Sequence, residues 1–408
     1  LHYLNTLPNS SLFLKLSTTW LYFSHRQAPR MSISQASIPL SHLLPPLVLG
    51  GAGFSHQVYR NPNSAQALEV LKRAFQLGLR AIDTSAYYHP SEILLGEALS
   101  HPDITSQYSR DQYFLMTKVG RIAATKFDYS ASWVRQSVMR SLQRLHTRYL
   151  DVVFCHDVEF VPEEEVMGAI GVLLDMVREG HIRYVGISSY RIDILARIAR
   201  RVQSQYSRPL DIIQNWAQMT LQNDRLAQEG LKAFREAGVS CVCSSSPLAI
   251  GLLRANSVPV GDLGDFHPAP SGLRSVVKEA ADYVAGQGES MAALALRHSI
   301  RRGQALSTPD FRITTIMGIT SIAELEDNLA TARQVLQVSN EPHWLWSTDA
   351  GQSVEGNMAR AKADEQLCSA VHNILGPWRD YSFPSPGDDW DVATKQPVST
   401  KQPVSTKL

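Results

Sequence analysis

Four side chains between residues 83 and 156 are of types that together can move a proton. Asp83 closes the apolar run Leu79-Arg80-Ala81-Ile82-Asp83 and is followed by Tyr87 and Tyr88. Lys118 closes YFLMTK, and His156 closes LDVVFCH with Asp157 next to it. A phenol has an ordinary pKa near 10, so on its own it is a poor base at neutral pH. A lysine ammonium beside it lowers that value, and a carboxylate holds the lysine charged and oriented. An imidazole can then position a substrate oxygen. The set suits proton transfer to or from a hydroxyl or carbonyl; it contains no activated nucleophile, and no metal ligand set is expected.

These residues act together only if the chain brings the ends of their runs to one place. LVLG (47–50), LRAID (79–83), YFLMTK (113–118), LDVVFCH (150–156), IRYVGISS (182–189), LDIIQN (210–215), VSCVCSSS (239–246) and RITTIMG (312–318) are apolar and β-branched, and a helix-period segment follows each. VPEEEV opens one such helix with Pro162 in its first turn and carboxylates at the positive end of the dipole. Eight such units predict an α/β fold, a closed (β/α)8 TIM barrel, with active-site residues at the C-terminal ends of the strands. An open dinucleotide-binding sheet would want G-x-G-x-x-G at the first turn. LVLGGAGFSHQ has Gly50, Gly51 and Gly53 without that spacing; these glycines either admit a ligand to the backbone or make a turn.

The 408 residues are 44% hydrophobic and 19% charged, with a formal net charge of +1. No Lys/Arg cluster with interleaved aromatics suggests nucleic acid, and no apolar run nears the roughly 20 residues that span a bilayer. Neither is expected as a partner. Cys155, Cys241, Cys243 and Cys368 include no CxxC pair, and Cys241 and Cys243 alternate along one strand into a packed layer. Disulfides and zinc are not expected, which points to a reducing, cytoplasmic setting. Residues 1–44 read as an N-terminal extension: either a transit peptide, or an upstream extension of residues 1–30 before Met31, the preferred and dispensable reading. The barrel is expected over 45–337 and a C-terminal extension over 338–390, with an irregular link at Asn340-Glu341-Pro342. That extension carries one helix from Ser353 to Leu375, with Leu367, Val371 and Ile374 on one stripe, against the barrel's outside. TKQPVS occurs twice, from Thr394 and Thr400, and 391–408 is expected to be a disordered tail.

An eight-fold barrel with Asp83, a tyrosine five residues later, Lys118 and His156 resembles the aldo-keto reductase family over about residues 45–337. GISS (186–189), QN (214–215), SPLAIGLL (246–253) and GITSIAELEDN (318–328) add to the resemblance. It implies Asp83, Tyr88, Lys118 and His156 as the catalytic set. Adjacent side chains of an extended loop diverge, so only one tyrosine can face Lys118. The resemblance further implies a nicotinamide cofactor held by Gly51, Ala52, Ser188, Ser189, Gln214, Ser246, Pro247, Leu248 and Gly251. Gly318, Thr320, Glu324 and Asn328 would take its adenosine end. Many members stack a strand-seven tyrosine on the nicotinamide; Ser245 stands here, and Trp216 is the alternative aromatic face. CHDVEF (155–160), FDYSASWVRQSV and SPLAIGLL…DFHPA resemble the aldose 1-dehydrogenases of this family, which oxidise the anomeric hydroxyl of a sugar to a lactone. The implied substrate is an aldose of the D-arabinose, L-galactose or L-fucose type, contacted by Tyr88, His156 and Asp157. Glu324, with no Lys or Arg from Gly318 to Ala323, implies NAD over a weaker NADP, unless Arg254 reaches the 2′-phosphate. A general aldehyde or ketone reductase is the second reading, and a cofactor-binding channel regulatory subunit the third. Monomer and dimer both stay open.

Overall fold

Eight parallel strands close on themselves in chain order, as the alternation predicts. They are β1 (Leu47–Gly50), β2 (Ala81–Asp83), β3 (Phe114–Val119), β4 (Leu150–His156), β5 (Ile182–Ser188), β6 (Ile212–Trp216), β7 (Cys241–Ser245) and β8 (Arg312–Gly318), with β8 pairing back on β1. The computed structural model describes residues 38–254, 258, 267–336 and 354–398. The expectations for residues 1–30, the link at Asn340–Pro342 and residues 399–408 lie outside the described residues.

Helices α1 (Ser64–Gln76), α2 (Ser91–Ser100), α3 (Ala131–Arg144), α4 (Glu163–Arg178), α5 (Ile192–Tyr206) and α6 (Leu231–Glu236) each follow a strand. Two helices, α7 (Ser271–Gly286) and α8 (Met291–Leu306), separate β7 from β8, and α9 (Ile322–Arg333) follows β8. Local chemistry starts several of them. Asn63, Ser130, Ser290 and Ser321 each accept a backbone N–H of the first turn, and Glu163, Glu164 and Glu165 sit at the positive end of α4.

The strand period of two decides what fills the barrel. Val48, Ala81, Met116, Phe154, Tyr184, Ile212, Cys243 and Ile316 belong to one buried interior cluster, while the other parity packs under the helices. One step of the same parity further up, or two on β5, brings Gly50, Asp83, Lys118, His156, Ser188, Gln214, Ser245 and Gly318 to the rim. The polar residues at the strand ends are thus the top layer of the barrel filling.

Two expectations about the ends are corrected. Leu40 and Leu44 are buried in the interior cluster and Tyr184 Oη donates to Ile38 O at 2.7 Å, so residues 38–44 form the barrel floor. The C-terminal helix α10 (Val354–Leu375) packs on α7 and α8, with Val371 and Leu375 fully buried. A buried bidentate pair, Arg297 to Asp364 at 2.9 Å twice, fixes it. The chain then returns over the rim. Gln222 and Asn223 hold the carbonyl of Tyr381, Tyr190 Oη accepts from Phe383 N, and Ser385 donates to Glu159. Residues 391–398, expected as disordered tail, belong to a two-stranded hairpin, β9 (Trp390–Asp391) with β10 (Gln396–Pro397). The first TKQP copy makes its turn. Trp390 packs edge-on against Phe127 and Phe160, and Lys395 pairs with Glu165 at 2.9 Å.

Candidate active site

At the rim, Lys118 Nζ lies 2.7 Å from Asp83 Oδ2 and 2.9 Å from the carbonyl of Thr84, and Gln214 Nε2 donates to the same carboxylate oxygen at 3.3 Å. Lysine and aspartate are both buried. After β2, the turn Ser85–Tyr88 closes with Tyr88 N donating to Ser85 O at 3.0 Å. This turn sends the two tyrosines to different cations. Lys118 Nζ is 5.0 Å from the Tyr88 ring centroid, and the Arg121 guanidinium is 4.4 Å from that of Tyr87. The Tyr88 ring meets His156 edge-on at 5.7 Å. The four expected side chains therefore converge.

Burial dominates their electrostatics. It pushes the Tyr88 phenol above its ordinary value, and Lys118 pulls down without overcoming it. The lysine lowers this pKa as expected, but burial outweighs it and the neutral phenol is favoured in the protein by itself. Burial raises the Asp83 carboxyl against the pull of Lys118, while Asp83 and Tyr88 together keep Lys118 charged against its own burial. His156 is pushed down to about 3, by burial first and by the charges of Lys118 and Arg121, so its ring is neutral. Asp157 adopts a left-handed backbone (φ 54°), which brings Oδ2 to 3.5 Å from His156 Nε2. Burial opposes its ionisation, but His156 and Arg121 outweigh it and the carboxyl is lowered. Arg121 donates to Asp157 Oδ2, so that oxygen, read as a contact for substrate, is already engaged.

Of the residues read as cofactor ligands, Ser188 stands beside His156 and Gln214 across the sheet. Ser189 is buried, with Oγ accepting from Arg191 N. The Gln214 Oε1 atom is buried with no partner among the described residues, so an amide donor such as a nicotinamide carboxamide fits it. Trp216, half-buried on Tyr190 at 4.3 Å, sits opposite Ser245. Gly51 has a packing reason: a Cβ there would meet Asp83 O and Ser91 Oγ at 3.0 Å, and Ala52 continues the same tight turn. Pro247 and Leu248 lie between Ser246 (φ 58°) and Gly251 (φ 93°), in a loop with several left-handed residues. Gly318 is open to solvent, and Asn328 lies one turn beyond Glu324 on α9. Glu324 Oε2 accepts from the N–H and hydroxyl of Thr320 at 2.8 and 2.7 Å, and Arg254 Nη2 is 3.6 Å from its other oxygen. Its carboxylate thus holds Thr320 just before α9 and pairs with Arg254.

Several residues around the set escaped the sequence reading. Arg121 follows β3 directly. Tyr129 donates to the carbonyl of His156. Buried Glu159 has its carboxyl pushed up to about 7 by burial and by Asp157, and accepts from Tyr190 N and Ser385 Oγ at 3.0 and 2.9 Å. Arg121, Tyr129 and Glu159 belong to the stretches GRIAATKFDYS and CHDVEF, so proximity in sequence to Lys118 and His156 was their one signal.

The model of the Aldo/keto reductase family matches residues 46–341. A D-arabinose 1-dehydrogenase of Saccharomyces cerevisiae is 38% identical over 283 residues, 69% of this chain and 81% of that protein. An L-galactose dehydrogenase of Arabidopsis thaliana is 31% identical over 322 residues, 78% of this chain and 87% of that protein. Among solved structures, an aldo-keto reductase of Bacillus halodurans in its holo form aligns with a TM-score of 0.54 at 20% identity, covering 80% of this chain and 91% of that one. This last likeness concerns the fold alone.

Proposed function

The chain belongs to the aldo/keto reductase family and is an oxidoreductase of that type; from this premise we propose that it oxidises the anomeric C1 hydroxyl of an aldose to the lactone, with NAD preferred over NADP. The reading rests on the convergence of Tyr88, Lys118, Asp83 and His156 at the rim, in a chain 38% identical to a D-arabinose 1-dehydrogenase across 81% of that protein. Gln214 Oε1, Ser188, Ser189 and the face of Trp216 would hold the nicotinamide end. The loop Ser246–Gly251 and the start of α9 would take the remainder, with Asn328 nearby. Bound there, the oxidised nicotinamide supplies the two-electron hydride acceptor.

The residues of the chain then have separable tasks. Neutral His156 donates to the anomeric oxygen and fixes it toward Tyr88. The C1–H bond breaks with its electron pair leaving as hydride, and the O–H proton passes to the Tyr88 oxygen as the C1=O bond forms. Lys118, kept charged by Asp83, stabilises the phenolate that accepts this proton. Asp157, charge-balanced by Arg121, borders the place of the sugar's further hydroxyls.

A reductase of simple aldehydes or ketones is favoured by one observation, the raised pKa of Tyr88, because a neutral phenol is a ready proton donor. One assay separates the readings: cofactor turnover across pentoses, hexoses and 6-deoxyhexoses, and across simple aldehydes, with NAD and NADP. Aldose oxidation exceeding aldehyde reduction in kcat/KM supports the proposal. Fast aldehyde reduction with no sugar oxidation overturns it, and absence of any turnover would leave the cofactor-binding subunit as the better reading. A cytoplasmic location accords with the free cysteines, and no described helix is long and apolar enough to cross a membrane.

A further inference from the structure

The Ser85 hydroxyl is buried beneath His156, and no part of the chemistry above uses it. Its oxygen accepts the N–H of Tyr87 at 3.1 Å and lies 3.1 Å from His156 Nδ1. Among the described residues these are its two partners. A hydroxyl carries one hydrogen and two lone pairs. With one lone pair taken by Tyr87 N–H, the remaining question is which of serine and histidine donates to the other.

We propose that Ser85 donates to His156 Nδ1 and thereby holds the imidazole in the tautomer whose proton is on Nε2, making Ser85 a positioning residue for the reaction. Two independent contacts demand this tautomer. If Nδ1 carried the proton, the buried Ser85 hydrogen would be left without an acceptor. On the opposite side of the ring, a bare Nε2 lone pair would face the Asp157 carboxylate at 3.5 Å, whereas an Nε2–H faces it favourably. That distance is too long for a hydrogen bond, because Arg121 engages the same oxygen and holds the carboxylate. Asp157 therefore biases the ring without consuming its proton, and Nε2–H stays free to donate to a substrate oxygen. The same serine opens the turn that positions Tyr88, so one residue links the placement of the acid–base group to the polarity of the oxygen-binding group.

The test begins on the full chain labelled with 15N-histidine, with His156 assigned by its loss in His156→Gln. The expected spectrum shows Nε2 protonated and Nδ1 bare. Ser85→Ala should give a mixture of tautomers. An ordinary neutral hydrogen bond shifts such a balance by up to about tenfold, which turns an almost wholly Nε2-protonated ring into a near-equal mixture, so kcat should fall about twofold. Cofactor Kd and the Tyr88 limb of the pH profile should stay in place, and Ser85→Thr should restore both spectrum and rate. A wild-type ring protonated on Nδ1 overturns the proposal, as do ring signals unchanged in Ser85→Ala. Loss of rate accompanied by a moved Tyr88 limb would assign Ser85 to the turn alone, and also overturns it. The kinetic arm rests on the proposed function and the spectroscopic arm does not, so failure of the aldose reading leaves the tautomer testable with any carbonyl that the protein turns over.

Discussion

Replacing Tyr88 by phenylalanine separates chemistry from packing. The contacts of Tyr88 with Lys118 and His156 are ring contacts, at 5.0 and 5.7 Å, and phenylalanine keeps both. The hydroxyl makes no hydrogen bond to the described residues, so its loss should change stability by no more than about 0.5 kcal/mol. Removal of a general acid–base group costs about 10²–10⁴ in rate, equal to about 3–5 kcal/mol of barrier. Turnover should collapse while the denaturation midpoint and the cofactor Kd from fluorescence titration hold. Tyr87→Phe keeps its ring under Arg121 and should retain kcat to within about threefold. Because burial raises the Tyr88 pKa, the wild-type oxidation rate should climb as pH rises toward that value, and the reduction rate should fall. A dead Tyr87→Phe beside an active Tyr88→Phe would refute the whole register of the assignment.

Glu324→Gln should free Arg254 for a 2′-phosphate; an exposed pair is worth up to about 1 kcal/mol, so the NADP/NAD ratio of kcat/KM should rise up to about fivefold, and an unchanged ratio would count against the pair as selector. A chain ending at Val398 should melt with the full-length protein. Ending it at Asp389 removes Trp390 from Phe127 and Phe160 and Lys395 from Glu165, and should cost about 1–3 kcal/mol, with equal melting of both chains telling against the hairpin as an anchor. Glu159 has an ordinary pKa of 4.5 and a folded value of about 7. The native state thus holds a proton that the unfolded chain releases: stability is fully present below 4.5 and declines as pH rises through 7, by about 3 kcal/mol. Glu159→Gln lacks this decline. Denaturant titrations at about pH 5 and pH 8 should show the variant gaining on wild type at the higher pH, and parallel curves would contradict it. The opposite trend from His156, whose stability contribution is lost as pH falls from 6.5 toward 3, is common to both proteins.

The barrel was legible because each strand is a β-branched run ending in a residue of unlike character. The period of two then carries Lys118, His156, Ser188 and Gln214 to the rim by the parity that puts Met116, Phe154, Tyr184 and Ile212 in the core. Leu40 and Leu44 follow no strand and fill the floor only because the barrel leaves an apolar hole there. The hairpin at 390–397 was misread for a related reason. Its turn is a low-complexity repeat with no periodicity, and its order comes from Trp390 finding Phe127 and Phe160, more than 200 residues away in sequence. The stripe on α10 was placed nearly right, but Leu375 is the fully buried member where Ile374 was expected.

The pairing of cations with tyrosines was hidden for a sharper reason, which one glycine shows. Lys118 and Arg121 are three residues apart, yet one closes the barrel interior and the other reaches over the rim. Gly120, at φ 98°, makes that reversal, a conformation that disfavours any residue with a Cβ. A Cβ there would stand 2.3 Å from the Tyr129 ring, whose hydroxyl bonds the carbonyl of His156. The turn that frees Arg121 to engage Asp157 and cover Tyr87 is therefore packed against the residue that fixes the backbone of His156. Sequence spacing showed four groups that could move a proton. It could not show that a single left-handed position assigns one cation to the reacting phenol and the other to its neighbour, because that choice depends on the same loop folding back to set the Tyr129 ring against Gly120.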